Sequence, residues 1–414
     1  MSLHIHLRPV LATAGAIALV AGAQLATAGA AGASQAHTGA ASRSGWSRAC
    51  PVNLTAGHEA CMVLKQMGVT SQLQPALAPD AIPAGFGYGP SQLQSAYALA
   101  SAATNDGKSS TVAIVDAFDD PTAASDLATY RSAAGLPAAN FSKVNQNGAT
   151  SPLPREAPRS DDWTLEEALD TDMVSAICPN CKIILVEAQS DSGTGLYTAE
   201  NTAARLAGYV SNSWGGTESS SDTTLDTTYF NHPGVAITAA AGDGGYGVIY
   251  PATSPDVVAV GGTSLTTASN SRGWTETVWG SSAGGEGTGS GCSRFEPKPS
   301  WQHDTGCSKR TDNDVAAVAD PNTGVAVYDT SNGNGGWNQV GGTSAATPII
   351  AAVFALAGSA GTNPADDIYT HTSNLFDVTS GADGSCSPAY LCTAEVGYDG
   401  PTGNGTPNGI AAFS

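Results

Sequence analysis

From Ser110 onward the apolar positions fall into two alternating kinds of run. Thr111–Asp116, Lys182–Glu187, Tyr209–Ser213, Val235–Ala240 and Val257–Val260 are short and nearly continuous in Val, Ile, Leu and Ala, as strands buried on both faces are. Between them, Pro121–Tyr130, Asp161–Ile177 and Thr198–Ala207 carry helical spacing. Such alternation predicts an α/β fold, a doubly wound parallel sheet with helices on both faces, and ligands at the carboxyl ends of its strands. Asp116, Ser213 and Asp243 stand at or just after such ends. Within Asp161–Ile177, Leu165, Leu169, Met173 and Ile177 recur every four residues. Glu166 and Asp170 share that interval and therefore one face beside the apolar stripe. Like charges so placed repel unless they share a proton or a partner. The plainer alternative is an acidic first turn with Thr164 and Glu167 as a capping box, which accounts for Glu167 but not for Asp170.

The run Val340–Pro348, Val-Gly-Gly-Thr-Ser-Ala-Ala-Thr-Pro, leads into the apolar stretch Ile349–Ala357. Two glycines allow a sharp turn and close approach of another chain. A helix starting near Ser344 would place that hydroxyl at a positive helix end, with Pro348 in about the first turn. A buried helix capped by a serine is the plainer alternative. Residues 1–30 have a weakly basic start, an apolar run to about Leu25 and small-residue cleavage patterns, which predicts a secretory signal peptide rather than a membrane anchor. A short pro or linker segment is expected over 31–85, with one small helix in Cys50–Met67 closed by a disulfide. A further helix is expected from Pro90. Gly280–Gly291 lacks the lysine of a phosphate-binding loop and is expected to be a surface loop.

Composition narrows the partners. Of 414 residues only 13% are charged, and the net charge is −20, which excludes a basic nucleic-acid surface. Eight cysteines fall in close pairs, Cys50/Cys61, Cys178/Cys181, Cys292/Cys307 and Cys386/Cys392. With an export signal these read as four local disulfides. Cys178-Pro-Asn-Cys181 has no second ligand pair and is expected to be structural, not zinc-binding.

A nucleophilic serine needs a base. No His-Gly-Thr segment is present, and His58 and His232 precede no suitable helix, so carboxylates are the remaining candidates. Here the chain resembles the sedolisin family of serine-carboxyl peptidases, which has a subtilisin-like fold. The resemblance is carried by Glu166-x-x-x-Asp170 with Met173–Lys182, by Ser211–Glu218, Ala241–Gly245, Tyr250–Thr263 and the Ser344 segment, over roughly residues 86–414, taken as the peptidase domain. It implies Ser344 as nucleophile, Glu166 as general base, Asp170 as the group orienting it, and Asp243 in the oxyanion hole. Asp116 and Trp214 match positions of a supporting hydrogen-bond network. It further implies a C-terminal calcium-binding loop, with Ca2+ held by the side chains of Asp377 and Asp399 and the carbonyls of Val378, Glu395 and Gly397. Glu395 stands where the family usually has glycine. The expected activity is that of a secreted, monomeric endopeptidase working on proteins or peptides at acidic pH, without nucleic-acid or membrane partners. Tripeptidyl exopeptidase action, or a catalytically silent binding protein on the same fold, are the alternatives. The family usually carries a large folded prodomain, whereas here about residues 31–85 are available: either this short segment regulates the enzyme, or the enzyme needs no such inhibitor.

Overall fold

The computed structural model describes residues 45–51, 57–69 and 81–414; the expected signal peptide lies outside them. The β-branched runs form the sheet as their pattern requires. β1 (Trp46–Arg48), β2 (Ala60–Cys61) and β3 (Leu64–Gln66) come first, followed by α1 (Pro90–Ala96) and α2 (Ala100–Asn105). The alternating region holds β4 (Thr111–Ala117), α3 (Ala123–Ala133), β5 (Asn140–Asn145), α4 (Trp163–Ile177), β6 (Lys182–Ala188), α5 (Gly193–Leu206), β7 (Tyr209–Asn212) and β8 (Trp214–Gly215). After α6 (Asp222–Leu225) come β9 (Ala236–Ala240), β10 (Val258–Thr267), β11 (Trp274–Val278), β12 (Val315–Val318), β13 (Val325–Asp329) and β14 (Gly336–Gly341). The chain closes with α7 (Thr343–Ala357), α8 (Pro364–Thr370), β15 (Leu375–Phe376) and β16 (Thr406–Pro407).

The main sheet runs β11-β10-β9-β7-β4-β6-β5, with β12 beside β10. All its pairings are parallel except β10 with β11. Parallel register brings the ends of β4, β7 and β9 to one edge, where Asp116 is the last residue but one of β4 and Ser213 and Asp243 follow β7 and β9. Two helices cross behind that edge. α7 is buried over Thr343–Leu356, and every residue of α4 is buried. The leucines of α4 explain one of its faces. The other carries Glu166, Glu167, Asp170 and Asp172, and all four are fully or almost fully enclosed because α7, α3 and β13 pack around the helix.

Several expectations need correction. No helix forms in the described part of Cys50–Met67; instead β1 pairs antiparallel with β3, β3 with β14, and β2 with β8. The capping box of Thr164 and Glu167 does not form. Asp162 is the N-cap of α4, Thr164 Oγ1 donates to Asp162 Oδ1 at 2.6 Å, and Glu167 Oε2 accepts from the Asp120 amide at 3.0 Å. Pro348 lies in the second turn of α7, not the first. Residues 287–291 of the glycine-rich stretch are largely buried, because Gly289 N donates to Gly242 O at 2.8 Å and Gly287 N to Asp243 O at 3.4 Å. Strands β5 and β11–β14 were not expected from the pattern. The four disulfides pair as expected, Cys50–Cys61, Cys178–Cys181, Cys292–Cys307 and Cys386–Cys392.

Candidate active site

Gly342 sets the approach to Ser344. It caps α7 with φ +97°, a backbone conformation that favours glycine. A Cβ there would fall 2.7 Å from Asp243 Oδ2 and 1.8 Å from the Met62 carbonyl oxygen. Ser344 follows within the first turn and donates from Oγ to the Ser213 carbonyl at 3.1 Å. Pro348 has no N–H, so the Ser344 carbonyl lacks its helical donor. The nearest substitute is Ser213 Oγ at 3.4 Å. That hydroxyl also approaches Asp170 Oδ1 at 2.8 Å. It has one proton for two acceptors.

Glu166, Asp170 and Asp116 are fully enclosed. Burial pushes all three carboxyls up, Asp116 to about 8. The charges of Asp170 and Asp116 raise Glu166 further, and the Ser344 hydroxyl opposes them. The serine hydroxyl is turned to Ser213, and neither Glu166 oxygen has a hydrogen-bond partner. The geometry describes one orientation of a rotatable hydroxyl. Both Asp116 oxygens are likewise unpartnered. Trp214 Nε1 donates to the Val115 carbonyl at 2.8 Å and not to a carboxylate; it fixes the end of β4 beside Asp116.

Asp243 has two unlike oxygens. Oδ1 accepts from Thr343 N at 2.8 Å and from Thr343 Oγ1 at 2.9 Å. Oδ2 is buried with no partner. Burial raises this carboxyl to about 7 against the opposing pull of the Arg48 charge and the Thr343 bonds. A carboxyl so raised is protonated in acid and can donate. The two candidate histidines are engaged elsewhere: His58 pairs with Asp191 and His232 with Asn201 and Tyr229.

Thr343 and Ser213 were not singled out as site residues. Thr343 is the middle of Gly-Thr-Ser, where attention falls on the serine. Ser213 had a signal in its strand-end position, but its two-acceptor role depends on the fold.

At the other end of the chain, Gly397 N donates to Asp377 Oδ2 at 3.0 Å, and Glu395 N to Asp399 Oδ2 at 3.2 Å. Thr402 supplies its amide and hydroxyl to Asp399 Oδ1 at 2.9 and 2.8 Å. The left-handed position of this turn is Gly397, φ +89°, not Glu395. Among the described residues no cluster of three or more His, Cys, Asp or Glu side chains could hold a metal ion.

The fold and this site define a class, the subtilase family, whose model matches residues 142–373, and the chain belongs to it. Within it the chain is a member of the sedolisin group. It is 33% identical over 340 residues to kumamolisin from Bacillus sp. (strain MN-32), covering 74% of this chain and 59% of that protein. It is 29% identical over 359 residues to sedolisin from Pseudomonas sp. (strain 101), covering 77% and 60%. The solved structure of Pseudomonas sedolisin, a serine-carboxyl proteinase complexed with two molecules of pseudo-iodotyrostatin, superposes with a TM-score of 0.66. That match, at 29% identity, covers 78% of this chain and 95% of that one. The chain thus spans about 60% of the length of these two curated relatives.

Proposed function

We propose that this protein is a serine-carboxyl endopeptidase that hydrolyses peptide bonds in acidic surroundings. The observation that carries the reading is the buried, unpartnered Asp243 Oδ2 beside Gly342, at the start of the helix bearing Ser344. In this reading the Ser344 hydroxyl rotates from Ser213 toward Glu166, which takes its proton as the oxygen attacks the carbonyl. Asp170 holds Glu166 in place and shares its proton. Protonated Asp243 donates to the oxyanion. Asp116 tunes the charge of the acid pair, and Trp214 positions the end of β4. Residues 59–66 run along β8 on one side of Ser344 and β14 on the other. Extended chain seated on both sides of Ser344 favours endopeptidase over tripeptidyl action. Ser344→Ala tests the reading: it should fold and lose essentially all hydrolysis of an acid-denatured protein, and cleavage at the wild-type rate would refute it.

The same reading extends to calcium and secretion. Both carboxyls accept from the same turn, Asp377 from Gly397 N and Asp399 from Glu395 N; with main-chain carbonyls they would form a donor set suited to a hard cation. Asp377 and Asp399, with the carbonyls of Val378, Glu395 and Gly397, would hold calcium, whose contribution would be to fix this loop. Four disulfides fit an oxidising compartment. No helix among the described residues is long and apolar enough to cross a membrane.

A further inference from the structure

A nucleophile that must reach a protein substrate should be open to solvent, yet Ser344 is wholly enclosed. The cover is the chain's own segment 59–66. Ala60 and Cys61 pair antiparallel with Gly215 and Trp214, and Met62 N donates to the Ser213 carbonyl at 3.1 Å. Ser344 Oγ donates to that same carbonyl. The Met62 carbonyl oxygen crowds the point beside Gly342 that Asp243 Oδ2 also crowds. Beyond it, Leu64 and Lys65 pair with Gly341 and Val340 on β14. An extended strand added to an exposed edge on each side of the nucleophile is how a peptide docks by main-chain bonds, with alternate side chains filling pockets.

This strand is also clamped. β1 pairs with β3 across the Met62–Val63 bond, so the arms on either side are zipped together. Cys50 is bonded to Cys61, one residue before Met62. Ala49 N donates to Val63 O at 3.3 Å, and Arg48 Nη2 to Asp243 O at 3.1 Å. On the acyl side, Glu59 turns into a pocket where Tyr197 OH donates to its Oε1 at 2.7 Å. A Cβ on Gly193 would lie 3.0 Å from Oε1, and one on Gly216 would lie 2.0 Å from Oε2. Glycine at both positions makes the room.

We infer that the disulfide-clamped hairpin whose arms are residues 45–51 and 57–67 is a built-in substrate-like ligand of the cleft, with Met62–Val63 at Ser344, and that the Tyr197 pocket takes a carboxylic acid side chain on the fourth residue before the cut bond. The inference rests on the peptidase reading above. The hairpin competes with substrate at the effective concentration of a short tether, and its clamped conformation spares the ordering cost that a free peptide meets. Burial raises the Glu59 carboxyl to about 7, with the charges of Asp222 and Asp191 adding to it and that of His58 opposing. In acid the pocket therefore holds a neutral acid that accepts from Tyr197.

The test compares the full chain with Cys50→Ser/Cys61→Ser and, separately, with Glu59→Lys. Internally quenched peptides carrying Glu, Gln, Leu or Lys four residues before the cleaved bond are assayed at about pH 4. Both variants should raise kcat/KM by about tenfold or more, since each loosens a tethered competitor. Glu and Gln peptides should exceed Lys by a similar factor, and Tyr197→Phe should shrink the Glu-to-Lys ratio, which is taken within each variant so that any loosening of the hairpin cancels. Equal activity of wild type and both variants would overturn the hairpin, and equal rates on Glu and Lys peptides would overturn the pocket. If no form cleaves any peptide, the peptidase reading fails by itself. Docking is then judged by hydrogen exchange, where a Met62 amide exchanging as fast as an open strand overturns the hairpin.

Discussion

Asp243 joins two demands in one side chain. Its Oδ1 is bound to Thr343 and its Oδ2 is free, so a proton, when present, has one place from which to act. With the carboxyl raised to about 7, kcat/KM should fall above about pH 7 as that proton leaves. In the proposed mechanism the acid limb comes from Glu166, Asp170 and Asp116 titrating together and should not be divided among them. Asp243→Asn keeps a donor that does not titrate, so the upper limb should flatten or move well to higher pH. Asp243→Ala should cost about 10²–10³ in kcat. A pH–rate profile whose upper limb is unchanged in Asp243→Asn would assign that limb to another group.

Elements carry their sequence signals unequally. β4, β6, β7 and β9 were legible because strands buried on both faces are written in β-branched residues. α4 was legible through its leucines, and its two acids through their interval of four. β5 was not, since Asn-Phe-Ser-Lys-Val-Asn is an edge strand with polar positions. Nor were β1–β3, whose pairing depends on distant β8 and β14, or the burial of 287–291, which is imposed by the Asp243 loop. The four disulfides were legible from spacing. The carboxylates of the candidate site were visible as residue types in a pattern, whereas Ser213 and Thr343 take their roles from contacts no local window contains. At this scale the C-terminal loop also makes a prediction. If it binds calcium, excess chelator should lower Tm, and Asp377→Ala should lower it similarly and no longer respond to chelator. Saturation at one hundred times Kd corresponds to about 2.7 kcal/mol. A Tm indifferent to chelator would remove the ion from the reading.

The whole molecule stores many acids where water does not reach. Asp116, Glu200 and Asp312 are raised to about 8, Asp329 and Asp383 to about 7, each chiefly by burial. In the unfolded chain such groups titrate near about 4. Between those values the folded state holds more protons than the unfolded one, so stability falls as pH rises. Their stabilising effect is fully present below about pH 4 and lost through about pH 7–8, and the formal charge of −20 at pH 7 adds self-repulsion in the same direction. A thermal melt series should therefore give its highest Tm in acid and a steady decline toward pH 8. A Tm rising over that interval would mean that these carboxyls are ionised in the fold.

Pro348 turns a helix defect into a design trade-off. A proline inside a helix sacrifices about 3 kcal/mol relative to alanine, and here the missing N–H leaves the Ser344 carbonyl to Ser213, whose single proton is divided with Asp170. Pro348→Ala would return an amide donor to that carbonyl and leave the Ser213 proton to Asp170 alone. A fully donated hydrogen bond favours the ionised form of Asp170, whose charge raises Glu166 and leaves less of the proposed base ionised. The variant should thus endure heat better and turn over more slowly, by up to about tenfold if roughly one hydrogen bond is redistributed. Screening for thermostability alone would select it, and screening for turnover would discard it.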